Sequence, residues 1–192
     1  KITKEKKRLI KTGNIKSSKA LLPPNEEDIP FELPDTWCWT RLENVAALFT
    51  GDSINAEEKK KKYLNLEEGY NYIATKDVDF NNTINYDNGV KIPFKNNFRI
   101  AKASSTLLCI EGGSAGKKVG LLNQDVCFGN KLCSTQPILI NSQYLFYFLQ
   151  SPTFTMNFTD NKSGMIGGVG VNTIKTFYFP LPPIQEQQRI AT

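Results

Sequence analysis

The sequence has 192 residues, of which 40% are apolar and 22% are charged, with a formal net charge of +5. This composition is typical of a globular protein rather than a disordered one. No apolar run approaches the roughly 20 residues of a membrane helix, and no secretory signal follows the basic N-terminal residues. We therefore expect a cytoplasmic protein with one main compact domain.

The first 70 residues predict two short helical segments, an extended linker and a long loop. Apolar residues on one helical face predict the end of a helix within residues 1–11. Four prolines in residues 20–35 predict an extended surface linker. Helical spacing predicts a short helix over residues 42–49, and the charged residues 51–70 predict a long surface loop.

The second half of the chain alternates predicted strands and helices. Asn88-Gly89 is a strong signal for a two-residue hairpin. Ser142 is the predicted cap of a buried helix over residues 143–150, and Pro152 is suited to open a second helix. Apolar runs predict strands at residues 70–80, 104–110, 117–122, 125–139 and 176–181.

Positive charge is concentrated at the N-terminal end. Residues 1–19 contain eight lysines or arginines and one glutamate, a local charge of +7, so the remaining residues sum to −2. Such a body binds nucleic acid only if its remaining cations gather on one face. An acid-free window and a pair after a glycine turn supply the candidates Lys91, Lys95, Arg99, Lys102, Lys117 and Lys118. Scattered surface lysines are the alternative interpretation.

The sequence offers little for catalysis. It contains no histidine, the side chain best suited to proton transfer near neutral pH. The four cysteines, Cys38, Cys109, Cys127 and Cys133, form no CxxC pair, so the usual zinc ligand sets cannot be assembled. We predict buried thiols, no metal, no cofactor and no catalytic residues.

The segment IEGGSAGKKVG departs from a phosphate-binding loop. Glu111 stands at the first glycine position, and Lys118 follows Lys117 where a hydroxyl residue is needed. A predicted strand follows, whereas phosphate is held at a helix N-terminus. The segment is either a plain hairpin turn or a flexible tip at which Ser114 and the two lysines contact DNA phosphates.

Two enzyme signatures also fail. A PD…ExK nuclease pattern would have to combine residues 34–35 of the proline linker with residues 57–59 of a solvated, lysine-rich run, although such carboxylates must share a metal. The glycine run at residues 167–172 lacks the preceding strand and the acidic residue of a dinucleotide fingerprint.

Both ends of the chain resemble one family. PFELPDTWCWTRLENVAALFTG is similar to the start, and FPLPPIQEQQRIA to the end, of a target recognition domain in the DNA specificity subunits of Type I restriction-modification systems. The matching residues are Glu32, Leu33, Pro34, Trp37, Trp39, Arg41 and Leu42 at the start, and Leu181, Pro182, Pro183, Glu186 and Gln187 at the end. GGSAGKKVGLL resembles the family's glycine hairpin, and Asn130 stands at a recurrent amide position. The resemblance covers about residues 20–192.

Together, the elements and the resemblance predict an α+β fold: a twisted, mostly antiparallel β-sheet with packed helices, flanked by truncated coiled-coil helices. The expected division is a basic helix remnant and linker at residues 1–19, a recognition domain at residues 20–182, and the start of a truncated spacer helix at residues 183–192. The resemblance thus predicts a fragment or excised recognition domain.

The resemblance implies that this domain reads one half of a split double-stranded DNA target without catalytic activity of its own. The implied partners are modification (methyltransferase) subunits, through them a restriction motor subunit, and a second recognition domain or copy bound through the coiled-coil helices. A membrane partner is not expected.

We predict phosphate contacts from the acid-free window and the glycine hairpin, and base contacts near Lys76, Asn82 and the 162–172 loop. The full predicted DNA-binding set is Lys76, Asn82, Lys91, Lys95, Arg99, Lys102, Ser114, Lys117, Lys118, Lys162 and Asn172. Two alternatives stay open. One is a protein-docking module whose partner contacts DNA, and the other is the recognition domain of a fused restriction-methylation enzyme.

Overall fold

The computed structural model describes residues 1–13, 15, 29–165 and 167–192. Most of the predicted proline linker, together with Lys16 and Lys19 of the basic lead, lies outside these residues. No helix among the described residues is long and apolar enough to cross a membrane.

The described residues form seven α-helices and ten β-strands. The helices are α1 (Ile2–Lys11), α2 (Leu42–Val45), α3 (Ala56–Glu58), α4 (Ser142–Phe148), α5 (Pro152–Asp160), α6 (Val171–Thr176) and α7 (Ile184–Ala191). A π-helical turn, Lys59–Tyr63, continues α3, and a 3-10 turn, Thr75–Asp77, follows β3. The strands are β1 (Cys38–Arg41), β2 (Ala46–Thr50), β3 (Tyr70–Ile73), β4 (Lys91–Ile92), β5 (Ile100–Ala101), β6 (Thr106–Cys109), β7 (Val119–Leu121), β8 (Val126–Phe128), β9 (Leu132–Pro137) and β10 (Tyr178–Leu181).

The strands of the described residues form three sheets. The central sheet has the order β2-β9-β6-β7 and is antiparallel throughout. The second sheet has the order β4-β3-β8-β5, in which only the β3–β8 pair is parallel. The third is the antiparallel pair β1–β10.

The central sheet is buried on both faces. Successive side chains of a strand point to opposite faces, so Leu108 of β6 packs into the core under the helices, while Leu107 packs into the core shared with the second sheet. On the helix side, Phe148 of α4 and Phe154 and Phe158 of α5 are buried. Burying each such side chain contributes about 1.5–3 kcal/mol.

The predicted α+β class is confirmed, since helices combine with mostly antiparallel sheets. The prediction of one sheet was wrong, because the described strands form three. All four residues of β6 are buried, so both faces of this strand need an apolar cover. The helices cover one face and the second sheet covers the other.

Two predictions near the N-terminal end were wrong in extent. The helix that begins at Leu42 ends at Val45, and Ala46–Thr50 instead pairs with β9. The buried positions of β2, Ala46 and Leu48, also alternate as strand residues do. The predicted loop at residues 51–70 contains α3 and its π-helical continuation.

The predicted hairpin at Asn88-Gly89 was wrong. The side chain of Asn88 donates to the Tyr72 carbonyl, and no two-residue turn joins strands at this position. The tight turn lies earlier, where the Asp79 amide donates to the Thr83 carbonyl at 2.9 Å. Asn82 occupies this turn with φ of 67°, a left-handed conformation that asparagine tolerates better than most residues.

The two C-terminal helices were predicted more closely. Tyr144, Leu145 and Phe148 of α4 are buried. The N-cap is Asn141 rather than the predicted Ser142, because the Asn141 side chain accepts a hydrogen bond from the Tyr144 amide at 2.9 Å. Pro152 is the first residue of α5, as predicted.

The two ends that resemble the specificity-subunit family meet in space. Strand β1 pairs with β10 along its whole length, with Cys38 opposite Leu181. Gln187 of α7 is 2% exposed. Its side chain donates to the Pro182 carbonyl and accepts from the Asn141 amide, both at 2.8 Å. This one amide therefore fixes the start of α7 against the start of α4.

One ion pair joins the central and second sheets. Asp52, just after β2, accepts hydrogen bonds from the backbone amide and the guanidinium of Arg99, just before β5, at 2.7–3.1 Å. Partial burial alone would raise the pKa of Asp52, but the hydrogen bonds from Arg99 outweigh it, and the pKa lies below its usual value.

We predict that Asp52→Asn lowers the free energy of unfolding near pH 6 by on the order of 1 kcal/mol. A carboxyl whose pKa is lowered by folding stabilises the protein above its unfolded pKa of about 3.9, and this contribution is lost as pH falls through the folded pKa. Urea titrations should show the deficit at pH 6 and a smaller one at pH 3. The exposed control Asp87→Asn should change little, and a deficit independent of pH would contradict this account.

We also predict that Gln187→Leu lowers the free energy of unfolding by about 1–3 kcal/mol, because the half-buried backbone amide of Asn141 and the buried carbonyl of Pro182 lose their partner. The neighbouring Gln188→Leu is the matched control, since Gln188 is exposed. Its effect should stay within about 0.5 kcal/mol. Equal urea midpoints for the two variants would refute the assigned role of Gln187.

Candidate nucleic-acid interface

A cleft of about 460 Å³ opens where four separate segments of the chain meet. We call it the α5 cleft. It is lined by Phe80, Asn82, Ala115, Gly116, Lys117, Val119, Leu149, Gln150, Thr155, Thr159 and Lys162. The cleft thus brings together Asn82, Lys117 and Lys162 of the predicted set, and no acidic side chain is among the described residues that line it.

The glycine hairpin forms one wall of the α5 cleft. The backbone amides of Lys117 and Lys118 both approach the Ser114 carbonyl, and the Gly116 amide donates to the Cys109 carbonyl at 2.8 Å. Gly116 has φ of 78°, and a Cβ there would lie 2.6 Å from the Phe158 ring. Glycine is therefore required for the hairpin to pack directly on α5. Packing in this way directs Lys117, which is exposed, to the rim of the cleft.

Two amide side chains meet in the α5 cleft. Asn82 Nδ2 donates to Gln150 Oε1 at 2.7 Å. Gln150 Nε2 donates in turn to the Phe146 carbonyl at 2.8 Å. Sequence reasoning missed Gln150, because 68 residues separate it from Asn82 and no local pattern marks it.

A cation and an aromatic ring stand beside the cleft. Lys118 Nζ donates to the Thr75 carbonyl at 3.2 Å and lies 4.9 Å from the centroid of the Phe80 ring. Phe80 is nevertheless 65% exposed. Lys76, the neighbour of Thr75 in the 3-10 turn, is also exposed. At the end of α5, Lys162 Nζ lies 5.7 Å from the centroid of the Phe158 ring.

The acid-free window lies outside the α5 cleft, and folding supplies most of its cations with partners. Lys91 Nζ donates to the Glu67 carbonyl at 2.7 Å. Lys102 Nζ lies 2.8 Å from Asp125, and Arg99 is paired with Asp52. Within the described residues, Lys95 is exposed and makes no hydrogen bond or ion pair. Phosphate contacts from this window stay a prediction. Fewer of its cations are unpaired than the sequence implied.

Asn172 also lies away from the α5 cleft, exposed in the first turn of α6. Its neighbours Val171 and Lys175 line a second groove of about 460 Å³ beside β2. Lys6 lines the same groove, and its amine donates to the Glu43 carbonyl at 2.7 Å.

The predicted burial of the thiols holds for three of four cysteines. Burial raises the pKa of Cys127 and of Cys133 to about 12, and it also raises the pKa of Cys109. Cys38 is exposed at the start of β1, so its predicted burial was wrong. Among the described residues, no group of three or more histidine, cysteine, aspartate or glutamate side chains is arranged to hold a metal ion.

Sequence comparisons connect this fold to restriction systems. A family model for the Type I restriction modification DNA specificity domain matches residues 34–192. The chain is 32% identical to the specificity subunit of the Type I restriction enzyme EcoAI from Escherichia coli, over 98% of this chain and 32% of that subunit. It is 25% identical to the EcoEI specificity subunit from the same species, with the same coverage. The chain spans about a third of the length of these relatives.

Solved structures share the fold. A chain from a study of complex assembly and conformational transition in the type I R-M system superposes with a TM-score of 0.66 at 19% identity, covering 98% of this chain and 43% of that one. The HsdS subunit from Thermoanaerobacter tengcongensis gives 0.62 at 20% identity, covering 84% of this chain and 37% of that one. The resemblance first seen in the two chain ends is confirmed. Since the family match covers residues 34–192, the chain belongs to the Type I restriction modification DNA specificity domain family.

Proposed function

We propose that this domain binds double-stranded DNA and reads one half of a two-part target as part of a Type I restriction-modification specificity subunit. Family membership supports this function, and it favours neither the docking module nor the fused enzyme. The observation that carries the proposal is the α5 cleft, where cations and amides from distant parts of the chain share one surface. None of the described residues that line it is acidic.

The side chains of the α5 cleft suit the two components of DNA recognition. Lysine amines neutralise phosphates and release counterions, which provides affinity without sequence preference. Amide side chains pair with base edges and provide specificity. We propose that Lys117 and Lys162 at the cleft, with Lys76 and Lys118 beside it, contact the backbone on either side of the Asn82 amide. The remaining predicted residues, Lys91, Lys95, Arg99, Lys102, Ser114 and Asn172, are secondary candidates in this arrangement.

Membership of this family also suggests which steps belong to this domain and which to partner subunits. We propose that the domain carries no catalytic group or cofactor, acts in the cytoplasm, and directs methylation by modification subunits and cleavage through a restriction motor subunit. Residues 20–182 would form the recognition domain. The flanking segments, residues 1–19 and 183–192, would join it to a second recognition domain or copy. Ile2 of α1 and Ile190 of α7 are partly buried against the helix-side core, so both flanking helices are attached to this domain.

The salt dependence of DNA binding tests this proposal. If about five phosphates are neutralised, log affinity should fall against log salt with a slope near −4.5. The double variant Lys117→Ala/Lys162→Ala should bind more weakly, with a slope of about −2.7, because each lost contact removes about 0.9. Fluorescence anisotropy with a labelled duplex between 50 and 200 mM salt, roughly the range over which such contacts matter, provides the measurement.

The matched control is Lys60→Ala/Lys61→Ala, which removes two exposed lysines from the π-helical turn outside the α5 cleft. It should keep the original slope. A wild-type protein without duplex affinity would reject the proposed function. Equal slopes for the two double variants would reject the α5 cleft as the phosphate-binding surface.

A further inference from the structure

The amide of Asn82 is held in one orientation by a chain of hydrogen bonds. The Phe146 carbonyl can only accept, so Gln150 must direct its Nε2 towards that carbonyl, at 2.8 Å. Gln150 Oε1 then faces Asn82 and can only accept, so Asn82 must direct its Nδ2 towards it, at 2.7 Å. The helix end thereby determines which way the Asn82 amide points.

The backbone restricts Asn82 further. Its φ of 67° places it at the corner of the turn that the Asp79 amide closes onto the Thr83 carbonyl. The backbone amide of Asn82 also donates to the Asp79 carbonyl, at 3.2 Å. With backbone and side chain both held, Asn82 loses little conformational entropy when it meets a ligand.

The fixed amide leaves a defined pair of groups for a ligand. Within the described residues, Asn82 Oδ1 has no hydrogen-bond partner, and Nδ2 retains a second hydrogen. The two threonine hydroxyls that line the same cleft already donate their hydrogens to backbone carbonyls of α5 and its cap. Thr155 Oγ1 donates to the Ser151 carbonyl at 3.1 Å and Thr159 Oγ1 to the Thr155 carbonyl at 2.8 Å. The donor and acceptor of Asn82 are therefore a free polar pair on one side chain, in a cleft that Lys117 and Lys162 also line.

An adenine presents the complementary pair in the major groove of DNA, with an acceptor at N7 and a donor at N6. We infer that Asn82 reads an adenine through these two atoms, and that Gln150 is the positioning residue that fixes the Asn82 amide for this contact. The inference rests on the proposed DNA-binding function and adds the base class and the residue pair. A good bidentate contact discriminates against the wrong base by about 1–3 kcal/mol, or roughly tenfold to a hundredfold.

Selection from a randomised duplex library tests the inference, with the complete specificity subunit that contains this domain assembled with its modification subunits. The wild type should select adenine at one position that Asn82→Gly no longer discriminates, with a loss of roughly tenfold to a hundredfold. Glycine suits the left-handed φ, so the variant should fold. Asn82→Asp should lose the adenine preference as well, because a carboxylate cannot donate to adenine N7 or to Gln150 Oε1.

Variants of Gln150 separate positioning from packing. Gln150→Glu loses the hydrogen bond to the Phe146 carbonyl but keeps an acceptor for Asn82 Nδ2, so Asn82 keeps its orientation and the adenine preference should remain, although the added charge weakens overall affinity. Gln150→Leu removes the acceptor and should lose discrimination at that position alone, with an unchanged salt slope. A structural role for Gln150 would instead lower the unfolding temperature and affect all positions together.

The matched control is Asn65→Gly, because Asn65 shares the left-handed conformation, with φ of 58°, but is exposed and lies outside the α5 cleft. It should keep every base preference. The inference is overturned if Asn82→Gly still binds duplex with all preferences intact, or if the position it affects is not adenine. Failure of the wild type to bind any duplex would instead reject the proposed function itself.

Discussion

The structure depends on burial of both faces of the central sheet. The run TLLC in β6 has no polar face, so one side must be covered by the helices and the other by the second sheet. Covering the helix side requires the aromatic side chains of α4 and α5, and Phe158 of α5 in turn contacts Gly116 of the hairpin that leads into β7. The apolar core thereby decides where the polar cleft lies.

This packing also forms the α5 cleft and determines which polar side chains line it. A turn after β3, a glycine hairpin, the end of α4 and the segment of α5 with the residues just after it each contribute two to four residues to it. None of these segments carries a recognition motif by itself. Their combination places amines around two interlocked amides, which is the arrangement that phosphate binding and base reading require. The function that we propose for this cleft therefore depends on long-range placement of side chains rather than on a local sequence motif.

The sequence predicted those features that depend on local chemistry. The proline pair and Gln187 at one end and the tryptophan-containing segment at the other identified the family. The strands at these two ends, β1 and β10, pair with each other in the structure. The apolar run of α4 and the proline of α5 also predicted their structures.

Long-range pairing explains what the sequence could not predict. The window around Arg99 contains no acid, yet Asp52 and Asp125 reach it across 47 and 23 positions of the chain. Asn88-Gly89 does not form the hairpin that its sequence predicted, and the Asn88 side chain instead donates a hydrogen bond to the distant Tyr72 carbonyl. The sequence predicted Gln150 only as the last residue of a buried helix, because its partner Asn82 lies 68 positions away in the chain.

We propose that bound DNA lies against the α5 cleft. Chemical modification of lysines, read by mass spectrometry with and without a bound target duplex, tests it directly. We expect DNA to protect Lys117 and Lys162, whereas the exposed Lys60 and Lys61 should react equally in both states. Protection confined to Lys91, Lys95 and Lys102, with unchanged reactivity of the cleft lysines, would contradict it.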